Sequence, residues 1–461
     1  MFRSTFAALA VACSTALTVM PAAAQSLADT FINAYQNSDL LEQNRAVLRA
    51  ADEDVALAVA SMRPVLNFVA QTRGQRQTTG ALQQETLTAS VNLSAEITLI
   101  DFGRGALARQ SAEALVMGTR QALLNVEQQV LLDAVRAFMD VRSAVETVTL
   151  RQTTMRLTQQ ELNAAQERFE LGEITRTDVS LAEARLAAAR SQLAAAEGDL
   201  AVAREEYKLV TGRYPGQLRQ PPALPSLPSS LQAAQDIARN THPSVKQAQF
   251  EANAAELNAE RAAAQRHGSV TADASIGVTS DLLNSGPSTR SASAGVRYAR
   301  PIYQGGAISA QHRQALARRD AARSGMHRSV AQVIQNVAVQ WANLEVARAR
   351  IAASQQQVRA AQSAFDGTRE EARLGARTTL DVLNAENDLM DARTVLLQSQ
   401  AGVQVASYGL MAAMGLLTVD HLRLGIPTYD PEAYYNAVRN APVTSQQGEA
   451  LDRVLRAIGR E

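Results

Sequence analysis

The sequence predicts a mainly α protein that carries a membrane β-barrel portion, built from a duplicated helix–hairpin–long helix unit. Three observations carry this expectation. First, the chain repeats itself at an offset of 203 residues: Leu171-Gly172-Glu173-Ile174-Thr175-Arg176-Thr177-Asp178-Val179 returns as Leu374-Gly375-Ala376-Arg377-Thr378-Thr379-Leu380-Asp381-Val382. The same shift relates Glu183 to Glu386, Arg190 to Arg393, Phe138 to Trp341 and Gly212 to Gly415. A period this long marks a duplicated domain-sized unit, since solenoid repeats run roughly 20–50 residues. Second, each copy holds segments in which polar and apolar residues alternate strictly, the period of a strand with two different surroundings on its faces. Third, each copy holds a stretch of about 70 residues without proline, in which apolar residues step by threes and fours as in a coiled-coil seam.

In chain order, residues 1–24 read as a secretory signal peptide. Arg3 supplies positive charge, Phe6 to Val19 is a short apolar run, and Ala22-Ala23-Ala24 precedes Gln25 as a small-residue cleavage site. A membrane anchor is the alternative, but the run is short for a bilayer of about 30 Å. The sole cysteine, Cys13, lies inside the run, so the mature chain contains no thiol, in keeping with an oxidising compartment.

Residues 25–218 form the first repeat, with strands over about 65–78 and 85–100. From Thr86 to Thr98 every even position is polar, while Leu87, Ala89, Val91, Leu93, Ala95 and Ile97 alternate between them. Thr79-Gly80 supplies the turn. A long helix is expected over about 105–171, its stripe running through Val130, Ala134, Phe138, Val141 and Val145. At 1.5 Å per residue it would reach roughly 100 Å. Pro221, Pro222, Pro225 and Pro228 make residues 219–230 an extended linker. The second repeat, 231–417, has strands over about 269–280 and 291–303 and a long helix over about 306–374. The turn between these strands carries Asn284, Gly286 and Pro287. Residues 418–461 read as an irregular tail with Pro427, Pro431 and Pro442.

A soluble sheet with one face on a core would alternate in the same way. Against it stand strands longer than the usual five or six or so residues and apolar faces of modest bulk. Strands of this length suit a transmembrane barrel, apolar outward and polar toward water. Four strands cannot close a barrel, and open edges are not tolerated in hydrocarbon. If these strands span a membrane, several chains must therefore share one barrel.

Both long helices end in Leu-Gly-x-x-Thr-x-x-Asp. Gly172 and Gly375 provide the left-handed residue that ends a helix, Thr175 and Thr378 cap the next one, and Asp178 and Asp381 complete a carboxylate capping box. Capping explains the motif without function. It does not explain Arg176 beside Asp178 or Arg377 beside Asp381. If several chains share a barrel, these turns ring the far end of the helices, where charges would pair across helices or select ions; an ordinary solvated helix end is the alternative.

On these features the chain resembles the TolC-like outer-membrane channel family over essentially its whole mature length. The resemblance rests on the duplication, on both turns, and on the strand-to-helix junctions Pro301-Ile302-Tyr303-Gln304-Gly305-Gly306 and Ile100-Asp101-Phe102-Gly103. It implies a homotrimer with a shared twelve-stranded barrel in outer-membrane lipid, continuous with a long periplasmic α-helical barrel. It also implies a periplasmic mouth opened by a periplasmic adaptor and an inner-membrane ABC exporter or other pump. Arg377 then matches the arginine that latches the mouth, Thr177 and Asp178 its partners, and Asp381 the first of two aspartates ringing the constriction. Asn384 stands in place of the second aspartate and Ala372 in place of a tyrosine found in some members. Leu171, Gly172, Thr175, Leu374, Gly375 and Thr378 lie in the turns that would meet the adaptor. Within the family, the segment Leu380 to Arg393 and the tail Tyr429-Asp430-Pro431-Glu432-Ala433-Tyr434-Tyr435 are most similar to type I secretion channels.

Type I protein secretion is thus the leading expectation, an outer-membrane component of a drug or small-molecule efflux pump the second, and a periplasmic coiled-coil scaffold without a pore a third. Zero formal charge argues against nucleic acid as a partner. An enzyme finds no support: His242, His267, His312, His327 and His421 are scattered without metal-binding spacing. No phosphate loop or nucleophile elbow is present, and no cofactor is expected.

Overall fold

The computed structural model describes residues 24–80, 82–283, 287–442 and 453. The expected signal peptide, apart from Ala24, and Asn284 and Gly286 of the second hairpin turn lie outside them. The first copy runs α1 (Leu27–Asn37), α2 (Asp39–Ala60), β1 (Val65–Thr79), β2 (Leu82–Ile100), α3 (Arg104–Glu170) and α4 (Arg176–Thr211). The second runs α5 (Leu231–Thr241), α6 (Pro243–Ala264), β3 (Ser269–Asp281), β4 (Thr289–Ala299), α7 (Ala307–Arg373) and α8 (Thr379–Ala413). Helices α3 and α7 are 67 residues each, about 100 Å long. Among the described residues no helix is long and apolar enough to cross a membrane.

The four strands form one antiparallel sheet in the order β1-β2-β3-β4, so the two copies join through β2 and β3. The register lines up Phe68, Leu93, Ile276 and Ala292 across the sheet, and beside them Leu66, Ala95, Ala274 and Ala294. The polar face repeats this order with Asn67, Ser94, Ser275 and Ser293, where the Ser275 and Ser293 hydroxyls meet at 2.8 Å. The apolar face is not laid on a core: Leu66 and Val296 are each 71% exposed, Phe68 69% and Ile276 59%. Strand β4 ends at Ala299, short of the expected 303. Pro301, which has no N–H to give a ladder, follows two residues later.

Each long helix begins on glycine in the left-handed region, Gly103 at φ +86° and Gly306 at +85°. In the first copy Asp101 substitutes for a capping side chain, its carboxylate accepting from the backbone N–H of Gly103 (2.9 Å) and of Gly105 (2.5 Å). Helices α3 and α4 form one antiparallel hairpin and α7 and α8 another, and α3 also packs on α2, α6 and α8. The duplication extends to single hydrogen bonds. Arg190 of α4 donates to Gln159 of α3 (3.3 Å), and Arg393 of α8 donates to Gln362 of α7 (2.6 Å).

The short helices continue the returning ones end to end. Asn37, before α2, donates to the carbonyl of Thr211 at the end of α4 (3.2 Å). Thr241, before α6, donates to the carbonyl of Met414 just past α8 (2.9 Å). The main core lies at this level, where Leu131, Val135 and Phe138 of α3, Val337 and Leu344 of α7, and Leu410 and Met414 pack with Phe31 of α1.

Residues 418–442 of the expected tail are more ordered than expected, and most of the rest of it, 443–452 and 454–461, lies outside the described residues. The ordered stretch contains α9 (Val419–Leu422) and α10 (Pro431–Val438), the latter capped by the Asp430 side chain with Pro431 at its first turn. Both helices are too short to show a periodic apolar stripe. Arg120 of α3 donates to the carbonyl of Pro431 (3.2 Å) and to Glu432 (3.5 Å), and Tyr434 donates to Glu53 of α2 (2.7 Å). Beneath this strap Asp52 is fully buried, and neither of its carboxylate oxygens finds a hydrogen-bond partner. Burial raises its pKa to about 6, against the opposing pull of Arg120.

Candidate functional site at the helical hairpin ends

The ends of the two hairpins are built alike, because the same residue types solve the same backbone problem. After α3, Gly172 at φ +78° lets its own N–H reach the carbonyl of Phe169 (3.0 Å) and that of Glu173 reach Arg168 (2.9 Å). After α7, Gly375 at φ +77° does the same, with Gly375 bonded to Ala372 (3.1 Å) and Ala376 to Glu371 (2.9 Å). These are the paired bonds of a Schellman turn, which satisfy the last carbonyls of a helix.

Each following helix opens with a full capping box. The hydroxyl of Thr175 accepts from the N–H of Asp178, whose carboxylate accepts from the backbone N–H of Thr175 (3.0 Å) and from its hydroxyl (2.8 Å). Thr378 and Asp381 repeat this at 3.0 and 2.9 Å. These bonds hold both carboxyl groups below the usual aspartate range: for Asp178 the Thr175 hydroxyl leads, for Asp381 the Thr378 backbone, with help from Arg377. Both aspartates are therefore ionised at neutral pH. The tips also present bare apolar surface, with Leu171 76% and Leu374 86% exposed.

Arg377 donates to Glu371 at the end of its own hairpin's first helix (2.9 Å). That bond, followed by the charges of Glu371 and Asp381, reinforces its positive charge. The latch partners implied by the resemblance, Thr177 and Asp178, belong to the other hairpin; Thr177 is exposed and Asp178 is occupied by its capping box. Asn384, by contrast, crosses between hairpins within the chain: its side-chain oxygen accepts from Arg185 of α4 at 2.9 Å. Arg151 of α3 faces Asp391 of α8 across the same seam at 3.8 Å.

Between these two links lies Glu386, about one and a half turns of α8 before Asp391. It is 3% exposed and its Oε1 has no hydrogen-bond partner. A cavity of about 210 Å³ opens beside it, lined by Thr158, Arg185, Gln192 and Asp391 among others. Burial, and then the nearby Glu161, push its pKa to about 7 against the opposing Arg369. Glu371, Arg185 and Glu386 were not among the residues expected at this site. Only Glu386 had a signal, since it repeats Glu183 at the 203-residue offset, yet Glu183 is exposed.

Comparison with known proteins follows the same duplication. The family model "Outer membrane efflux protein" matches residues 32–213 and 235–416, and 235 − 32 and 416 − 213 both give 203. The chain is 36% identical to outer membrane efflux protein BepC of Brucella suis over 94% of this chain and 95% of that one. It is 26% identical to outer membrane protein TolC of Salmonella enteritidis, over 93% and 90% of the two chains. Identity to proteases secretion protein PrtF of Dickeya chrysanthemi is 23%, over 78% and 83%. In fold it is similar to the Campylobacter jejuni CmeC outer membrane channel, with a TM-score of 0.74 and 14% identity over 90% of each chain. The chain belongs to the outer membrane efflux protein family, whose members are passive, non-catalytic channels of the bacterial outer membrane that extend into the periplasm.

Proposed function

We propose that three copies of this chain close their sheets into one twelve-stranded barrel, three times the four strands of a single chain, and serve as the outer-membrane duct of a small-molecule efflux pump. The observation that carries the barrel is the sheet itself: an uncovered apolar face and two strands, β1 and β4, each paired on one side only. In hydrocarbon such edges must be paired, and strand addition between chains does so without any new element. Residues 1–24 would be removed on export.

In this assembly the hairpin ends form the periplasmic mouth. Arg377, Asp381, Asn384, Thr177 and Asp178 would ring it and hold it closed. The turns at Leu171, Gly172 and Thr175, and at Leu374, Gly375 and Thr378, would meet a periplasmic adaptor protein, with the exposed leucines as its apolar contacts. An inner-membrane transporter would supply the energy. The likeness to an efflux protein along nearly the full chain supports small-molecule efflux over the type I secretion that the sequence put first. Protein secretion stays the second reading, supported by the segment Leu380 to Arg393 and the lower likeness to a protease secretion protein.

Deleting the gene separates the two. Efflux predicts increased susceptibility to several unrelated toxic compounds with an unchanged set of secreted proteins. Loss of a protein from the culture medium, with susceptibility unchanged, would overturn the efflux assignment.

A further inference from the structure

Two polar links cross the seam between the two hairpins near the start of α8, and one carboxyl group is buried between them. Arg185 to Asn384 ties α4 to α8 on the mouth side, and Arg151 to Asp391 ties α3 to α8 beyond it. Glu386 sits between them, about 10 Å along α8 from its start. It is 3% exposed, and its Oε1 is sealed without a partner. The charged groups that act on it or line the cavity beside it are Glu161 from α3, Arg185 from α4, Arg369 from α7 and Asp391 from α8 itself, the last paired with Arg151 of α3. Arg185 and Arg151, the basic groups of the two links, are bonded to Asn384 and Asp391, and Arg369 of α7 is the basic group whose charge opposes the shift at Glu386. Glu386 has no ion-pair partner among the described residues.

An ionised carboxylate with a sealed, unbonded oxygen costs far more than a neutral one. At the equivalent position of the first hairpin, Glu183 is exposed within the single chain and takes no part in this seam.

We propose that Glu386 is a proton-operated latch of the seam: protonated, it rests between the hairpins and the mouth stays closed; ionised, it needs water and favours separation of α7 and α8 from α3 and α4. This rests on reading the hairpin ends as the channel mouth. The direction follows from proton linkage. The closed seam holds the proton up to about pH 7, whereas an opened seam would return the group toward its ordinary value of 4.5. Opening therefore releases a proton and becomes easier as pH rises through this window, levelling off above about pH 7. Between about pH 5.5 and about pH 8.5 the opening equilibrium should rise by roughly thirtyfold if the group becomes fully solvated on opening.

The test is single-channel recording of the detergent-purified protein in planar bilayers across that range, with Glu386→Gln and Glu183→Gln beside the wild type. The expected result is open-state occupancy that rises with pH in the wild type and in Glu183→Gln, and a mouth that stays closed at every pH in Glu386→Gln, whose amide stands in for the protonated acid. Infrared difference spectra of the wild type should show a protonated carboxyl band that disappears around pH 7 and is missing in Glu386→Gln. A pH response retained in Glu386→Gln would overturn the latch and leave the channel reading standing, as would the lack of any carboxyl band titrating near pH 7. No conductance from any variant, wild type included, would overturn the channel reading and the latch with it.

Discussion

Gly415 and Gly375 both follow a helix of the second repeat in the left-handed region, at φ +78° and +77°, yet their surroundings differ. A Cβ added at Gly375 would meet nothing within 4 Å. At Gly415 it would lie 2.7 Å from the Cα of His242 and 3.1 Å from the Cδ of Pro243, where α8 abuts the start of α6. Gly375→Ala should therefore cost only the left-handed strain, about 1–2 kcal/mol. Gly415→Ala adds a backbone collision that must push α6 away, about 1–3 kcal/mol more. The total is about 2–5 kcal/mol. Thermal unfolding of the detergent-solubilised variants, followed by helical circular dichroism, measures both. Gly415→Ala should fall clearly below Gly375→Ala. Equal losses would show that α8 and α6 do not abut as described.

Asp52→Asn should stabilise the protein at pH 8 and change little at pH 4. Its raised pKa means the fold binds the proton more tightly than the unfolded chain does, so stability falls as pH rises from about 4 to 6. The roughly two-unit shift bounds the gain at about 3 kcal/mol, and urea unfolding at the two pH values checks it. Thr175→Ala and Thr378→Ala each remove a capping hydroxyl and should cost about 1 kcal/mol, read as faster amide exchange in the first turn of α4 or α8. Arg377→Ala should raise bilayer conductance by loosening the mouth; unchanged conductance and closed lifetimes would leave its pair with Glu371 as a surface contact. Asn384→Asp should increase block by divalent cations if position 384 faces the constriction, and an unchanged block would place it in the seam with Arg185 alone.

Much of the fold was legible because its signals are local. Strict alternation from Thr86 to Thr98 marks a strand whatever lies around it, and an absence of proline permits a very long helix. The hairpin ends were equally readable: Leu-Gly-x-x-Thr-x-x-Asp writes the Schellman turn and the capping box directly into the chain. The seam could not be read, because it depends on which faces of distant helices meet. Glu386 and Glu183 occupy the same place in the repeat, and only packing within the single chain, against α3, buries Glu386. Arg185 opposite Asn384 is separated from it by 199 positions. The helix at Pro431–Val438 could not be read for a different reason: it spans only eight residues, and contacts of Arg120 and Glu53 from elsewhere in the chain hold it in place.

The proposed function rests on closure of the open, apolar-faced sheet between chains into a conducting barrel. Recording from residues 25–461, purified in detergent and added to a planar bilayer, tests it most directly. A detergent-dependent trimer that inserts and passes ions in discrete steps is the expected result. A water-soluble rod that stays soluble without detergent and leaves the bilayer silent would contradict it.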